Sequence, residues 1–204
     1  MAKIKLTKTE LKAQSDALKR FQRFLPMLQL KKQQLQAEIA AITARIGEVC
    51  VREAAACGER AAWVKLFSDT AAPLEGLVTL NGVTTDTSNI AGVTIPVFKG
   101  IDTSIADLDL FATPAWLDAA AAMIARTIAL KAERAVLEKQ RMLVTLELNT
   151  TSQRVNLFEK VKIPACRESI RIIKIAIGDE QTASVTRGKI AKGRSKKTSE
   201  EEAA

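Results

Sequence analysis

The side chains that could do chemistry in this sequence are few, and none stands at a spacing that would let it act. Three cysteines occur, Cys50, Cys57 and Cys166, with no Cys-x-x-Cys pair among them. On one helix Cys50 and Cys57 would be separated by roughly 10 Å of rise, too far for a disulfide. They read as buried or half-buried free thiols of a reducing compartment. Histidine is absent, which excludes Ser-His-Asp and Cys-His catalysis and His-ligated zinc or haem. Gly188-Lys189 lacks the Ser/Thr that a phosphate loop needs, since Ile190 follows. Glu200-Glu201-Glu202 is a carboxylate cluster, but on a terminal stretch without the rigidity that metal ligation requires. The expectation is a chain with no cofactor, no metal and no catalysis of its own, whose function lies in surfaces.

Those surfaces must be carried by helices. Tyrosine is absent, aromatic residues are only 4%, and there are 9 glycines and 5 prolines in 204 residues; so few breakers mean long helix. Thr7 and Glu10 form a Thr-x-x-Glu capping box ahead of Leu11. From there two columns run at heptad spacing. One is Leu11, Leu18, Leu25, Lys32, Ile39, Ile46; the other is Gln14, Phe21, Leu28, Leu35, Ile42, Val49, Ala56, Trp63. Apolar residues repeated in this way form a coiled-coil seam. One helix is expected from about Thr9 to Phe67, roughly 90 Å long, kinked at Pro26.

Between Asp69 and Thr113 the chain turns to Thr, Val, Ile, Gly and Asn, with β-type runs at Leu77–Leu80 and Val93–Val97. Asn81-Gly82 is a strong hairpin turn, and Asn89-Ile90-Ala91-Gly92 is a second candidate reversal. Two strands cannot stand alone, so this hairpin must lean on something else. Thr113-Pro114 then reads as a helix start. A column Met123, Leu130, Leu137, Val144, Thr151, Phe158, Ala165, Ile172 follows it. Its partner column holds Leu148 and Val155 but also Arg134, Arg141 and Lys162, so the seam drifts around the helix. Pro164 should kink it and Gly178 should weaken or end it.

The sequence thus divides into an N-terminal arm (1–8), a long helix (9–68), a hairpin and connector (69–113), a second long helix (114–192, with a break near Gly178) and a disordered tail (193–204). The expected fold class is all-α dominated: a long antiparallel two-helix coiled coil with a small β-hairpin insert. Facing residue numbers should sum to about 182, with about eight either way. The seam is expected to be built by Leu11, Leu18, Phe21, Leu25, Leu28, Leu35, Ile39, Ile42, Ile46 and Val49 against Leu137, Val144, Leu148, Val155 and Phe158.

Charge is segregated along the chain. Residues 1–34 carry nine basic against two acidic side chains, 35–152 ten against fourteen, and 153–197 twelve against four. Antiparallel pairing therefore gathers Lys3, Lys5, Lys8, Lys12, Arg187, Lys189 and Lys192 at one tip. The lysine-rich N-terminus leads into no apolar segment, and the longest apolar stretch, Ala119–Ala125, is far short of the ~20 residues that span a bilayer. An intracellular, soluble chain is expected.

At this point the sequence resembles a family. Leu6-Thr-Lys-Thr-Glu-Leu and Phe24-Leu-Pro-Met-Leu-Gln-Leu-Lys-Lys-Gln-Gln-Leu-Gln resemble the N-terminal signature of the D subunit of V-type ATPases, in its bacterial branch. Asn89-Ile-Ala-Gly-Val-Thr-Ile-Pro is similar to that family's central hairpin, and Gln153-Arg-Val-Asn-Leu-Phe-Glu-Lys-Val-Lys-Ile-Pro to its C-terminal signature. The resemblance implies a non-catalytic central rotor shaft, cytoplasmic and peripheral to the membrane. Its tip would sit in the hexamer of A and B subunits. Its lower part would bind the small F subunit of the stalk and the funnel-shaped C (or d) subunit above the membrane ring. Torque would pass between ATP hydrolysis or synthesis and H⁺ or Na⁺ transport. Val83, Asn89, Ile90, Val93, Ile95 and Val97 of the hairpin are expected to carry the small-subunit contact. A static coiled-coil scaffold or adaptor is the alternative on heptads alone. Nucleic-acid binding, suggested by the basic ends, is disfavoured because those ends have almost no base-stacking aromatics.

Overall fold

The computed structural model describes residues 5–61, 76–106, 114 and 116–201. Its elements are α1 (Lys8–Ala61), β1 (Val78–Ile90), β2 (Val93–Ile105), α2 (Leu117–Asn156), a π-helical turn (Leu157–Lys162) and α3 (Ile163–Glu201). They fall into two compact units: Met1–Leu30 with Ser152–Ala204, and Lys31–Thr151.

α1 begins as the capping chemistry requires. The Glu10 N–H donates to Thr7 Oγ1 at 3.2 Å, and the Leu11 N–H donates to the Thr7 carbonyl at 3.0 Å. The Glu10 carboxylate does not close the box; it accepts from Gln14 Nε2 at 2.8 Å. The helix continues through Pro26. Pro26 is exposed, so the carbonyl that its missing N–H leaves unpaired, that of Gln22, can be hydrated. Trp63 and the expected helix end near Ser68 lie outside the described residues. So does Thr113; α2 starts at Leu117, whose N–H donates to the Pro114 carbonyl at 3.0 Å.

In the unit of residues 31–151 the two helices run antiparallel. Lys31 meets Glu147 at 2.6 Å, Arg52 meets Glu133 at 2.8 Å, Arg134 meets Glu53 at 3.1 Å and Arg126 meets Glu59 at 3.5 Å. These partner numbers add to between 178 and 187, within the interval expected from the sequence. Exposed pairs of this kind contribute only about 0–1 kcal/mol each. Stability comes from the stripe beneath them, where Leu35, Ile42, Ile46 and Val49 of α1 pack with Leu137 and Val144 of α2.

The hairpin is part of that core. Its turn is not Asn81-Gly82 but Ala91-Gly92, where both residues have positive φ (50° and 84°), the backbone of a type I′ turn. The Asn89 side chain accepts from the Gly92 N–H at 2.9 Å and supports the reversal. Asn81 instead forms a bulge between the pairs Leu80↔Thr103 and Gly82↔Asp102. Placing the turn at Ala91-Gly92 makes each strand 13 residues long and brings Ile90, Ala91, Val93 and Ile95 onto the helical core. At the other end of the hairpin, Leu77 and Val78 pack on Trp116, Leu117, Ala121 and Ile124. The turn's demand for left-handed backbone makes Gly92→Val costly, because a β-branched residue at that φ is strained. A loss of about 2 kcal/mol in urea unfolding is expected; an unchanged midpoint would contradict the turn assignment.

In the unit of residues 1–30 and 152–204, Phe21 packs against Phe158 with ring centroids 5.0 Å apart and the rings tilted by 48°, again an antiparallel pairing. The seam there departs from the sequence reading. Val155 and Phe158 occupy it, but the next inward residues are Ile163, Cys166, Ile170, Ile173 and Ile177. The step from Phe158 is eight residues to Cys166 rather than seven to Ala165, which is exposed, as is Ile172. The cause is the π-helical turn, in which the Ile163 N–H bonds the Phe158 carbonyl five residues back. One inserted residue shifts the phase and swings Lys162 out of the seam, bringing Ile163 in. Pro164 follows directly; a π turn tolerates it because the carbonyl that its ring would crowd in an α-helix is already displaced.

Two further expectations are corrected. The helix passes Gly178 without a break, and the segment from Gly193, expected to be disordered, is helical as far as Glu201. Gly178 carries no cap signal after it, and the Thr182 hydroxyl bonds its carbonyl at 3.0 Å. A lone glycine costs a helix only about 1 kcal/mol.

Candidate partner-binding surfaces

The seam residues named from sequence all point inward to some degree. Leu35, Ile42, Ile46, Val49, Leu137, Val144 and Val155 are buried; Leu11, Leu18, Phe21, Leu25, Leu28, Ile39, Leu148 and Phe158 are half-buried. They are therefore occupied by the chain itself. What remains for partners is the outward face.

The basic tip is one such surface. Lys5, Lys8, Lys12, Arg187, Lys189 and Lys192 are exposed, while Lys3 lies outside the described residues. A shallow groove forms between the two chain ends, lined by Leu6, Thr7 and Lys8 on one side and Ile177, Glu180, Gln181, Ser184 and Val185 on the other. Beyond Ile177 every described side chain as far as Ser195 is exposed, so the seam ends there while the helix continues.

The hairpin offers less than expected. Ile95 is 3% exposed and lies in the core cluster, with Ile90 and Val93 packed against it. Ile95 cannot meet a partner while the hairpin is docked; Ile90 and Val93 are half-buried and turn part of their surface to that core. Val83 and Asn89 are exposed and stand on the outward face of the hairpin, whereas Val97, two residues from Ile95 on the same strand, is half-buried and shares its face. Sequence reading missed Gln140, which is 4% exposed and donates from Nε2 to the Pro96 carbonyl. A polar residue one place before Arg141 gave no periodic signal, yet it satisfies the strand carbonyl that turns toward α2.

Electrostatics here belong to surface pairs. The Lys99 ammonium, 2.9 Å from Asp86 across the hairpin, holds that carboxyl below its ordinary range, helped by the Thr87 N–H. The hydrogen bonds that Arg134 donates to Glu138 and Glu53 hold its guanidinium above its ordinary range, and a bidentate pair lowers Glu168 while raising Arg171. The four shifted groups, Asp86, Arg134, Glu168 and Arg171, are exposed, so each shift is explained by its partner and none marks a buried reactive centre. Among the described residues no group of His, Cys, Asp and Glu side chains is placed to hold a metal ion, and no helix is long and apolar enough to cross a membrane.

Comparison with known proteins fits this picture of a chain built from outward faces. The family model for the ATP synthase D subunit matches residues 10–193. A V-type ATP synthase D subunit from Borreliella burgdorferi is 44% identical over 192 residues, covering 94% of this chain and 95% of that protein. The V-type ATP synthase D subunits of Chlamydia trachomatis and Chlamydia pneumoniae are 32% and 31% identical, with 94% and 93% of this chain covered. With matches running the length of the chain, through both helical signatures and the hairpin, this protein belongs to the ATP synthase D-subunit family.

Proposed function

We propose that this chain is the non-catalytic central shaft of a V-type ATP synthase, peripheral to the membrane on its cytoplasmic side. In this reading it turns within the hexamer of A and B subunits, and it carries torque to or from an H⁺- or Na⁺-translocating membrane ring. The observation that carries the reading is the family match over residues 10–193, with relatives covered almost end to end. A helix of 54 residues paired with a returning helix supplies the stiffness that torque requires. The exposed lysines and arginines of the tip suit a surface that must slide, because exposed charge pairs are weak and exchange readily with water. An acidic or polar bore is expected opposite them. The small F subunit of the stalk is assigned to the hairpin, at Val83 and Asn89 of its outward face and at the half-buried Val97, with the adjoining helices. The funnel subunit seats on the lower part.

The test is co-purification from the native membrane. The tagged chain should bring down a P-loop ATPase pair and a small companion protein. A self-contained homodimer without them would favour the static scaffold instead. Within the shaft reading, the end of the seam at Ile177 grades the importance of the C-terminus. Removing residues 193–204 is expected to leave assembly and ATP turnover within about twofold of normal. Removing residues 178–204 strips the groove wall opposite Leu6 and should weaken assembly about tenfold or more, read by gel filtration and ATPase assay. Loss of turnover on the short truncation alone would make the terminal helix a docking element.

A further inference from the structure

We propose that one flank of the unit formed by residues 1–30 and 152–204 is a docking face for a partner protein whose surface is apolar at its centre and edged by carboxylates. Phe24, Met27, Leu157 and Val161 are large apolar side chains left 42–62% exposed. Helix geometry puts them together. With α1 running away from the observer and its seam facing right, a right-handed helix advances clockwise. Phe24, three residues past Phe21, then falls about 60° short of a full turn, on the upper flank, and Met27 falls beside it. The opposing strand of the pair runs toward the observer and advances anticlockwise. Leu157, one residue before Phe158, and Val161, close to one π turn after Leu157, fall on the same upper flank. The Phe21–Phe158 ring contact fixes both at the same level. Arg20 and Arg154 stand on that flank too, and both are exposed.

Charge selects the occupant. Residues 1–30 carry seven basic and two acidic side chains and residues 152–204 carry twelve and seven, so this unit holds a net +10 while the whole chain holds +8. A second copy would set Arg20 and Arg154 against their own kind. A carboxylate-edged partner gains complementarity at the rim while its apolar centre covers the four side chains. An apolar face also needs a partner that stays fixed to this chain, since interlocked side chains resist sliding.

The inference rests on the reading that the chain works within an ATP synthase assembly, and the test separates the two. Met27→Cys and Val161→Cys are made singly in the full chain carrying Cys57→Ser and Cys50→Ala. Reaction with N-ethylmaleimide is timed in the isolated chain and in the complex reconstituted with its other soluble subunits. The face predicts labelling about tenfold or more slower in the complex, and Arg20→Glu with Arg154→Glu should weaken assembly about tenfold while leaving the circular dichroism spectrum unchanged. Equal labelling rates in an assembled complex would overturn the face and leave the assembly reading intact. Failure of the unaltered chain to assemble would overturn both. Protection that appears instead in an isolated dimer, or only on vesicles of anionic phosphatidylglycerol, would assign the face to a second copy or to a membrane and also overturn the proposal.

Discussion

Deleting Lys160 together with Pro164→Ala is expected to leave the chain as stable as the parent, within about 1 kcal/mol, although a residue has been removed from a long helix. The π turn holds one residue more than an α-helix would, and that residue sets the phase of everything after it. Removing it lets the helix run as regular α with Ile163, Cys166, Ile170, Ile173 and Ile177 still facing inward. Deleting Lys160 alone should cost about 3 kcal/mol, because Pro164 then sits in a regular helix interior. Deleting Glu168 instead leaves two ways out, both costly. Either Arg171 and Lys174 rotate into the places of Ile170 and Ile173, or the π turn collapses and brings Lys162 into the seam against Pro164. Ile173 is fully buried, and burying such a side chain contributes about 1.5–3 kcal/mol. A loss on the order of 3–5 kcal/mol is therefore expected, read as a shift in the urea midpoint. Equal penalties for the Lys160 and Glu168 deletions, with Pro164→Ala present in both, would show that phase is not what the π turn supplies.

The second large effect is expected at the hairpin. Ile95→Asp buries a carboxylate in the cluster of Leu35, Ile42, Val49, Leu137 and Val144, with no basic partner among those side chains. The hairpin should undock to expose it, at about 4 kcal/mol or more. Amide exchange would report this directly, with protection lost across Val78–Ile105 and largely kept in the helices. Val83→Asp on the same hairpin is expected within about 0.5 kcal/mol of the parent, since Val83 is 39% exposed. Similar effects at the two positions would mean that the hairpin does not rest on the helices through Ile95.

How much of this is legible in the sequence differs along the chain. The seam of α1 is readable because seven-spaced apolar columns need only a partner helix to become a core. The antiparallel register follows from helix starts and an insert of known length. Three features are less accessible. The phase slip after Phe158 is written in the sequence as a second set of isoleucines, Ile163, Ile170 and Ile177, offset by one from the column of Leu148 and Val155, with Cys166 and Ile173 offset by one from that of Thr151 and Phe158. Extending the first column through Ala165 and Ile172 overlooks it, because that extension assumes an α-helix throughout. The hairpin turn goes to Ala91-Gly92 although Asn81-Gly82 has the stronger local propensity. Long-range packing of Ile90, Val93 and Ile95 on the helices outweighs the cost of alanine in a left-handed conformation, about 1–2 kcal/mol. The same packing withdraws Ile95 from the residues expected to meet a small subunit and half-buries Ile90 and Val93. The C-terminal segment reads as disordered because it lacks an apolar period, yet helical backbone needs no apolar stripe when it extends an existing helix. The exposed apolar flank of Phe24 and Met27 is hidden inside a signature whose neighbouring Leu25 and Leu28 are core.

The central claim is that this chain must turn for the complex to work, and a reversible covalent brake tests it most directly. Lys189→Cys in the tip is paired with a cysteine in the bore of a catalytic subunit, within a complex reconstituted from all its soluble subunits. Oxidation to the disulfide is expected to abolish steady-state ATP hydrolysis in proportion to the cross-linked fraction, and reduction should restore it. Hydrolysis that continues undiminished with the disulfide fully formed would contradict the account, because a shaft held fast to its bearing could not be the rotating part.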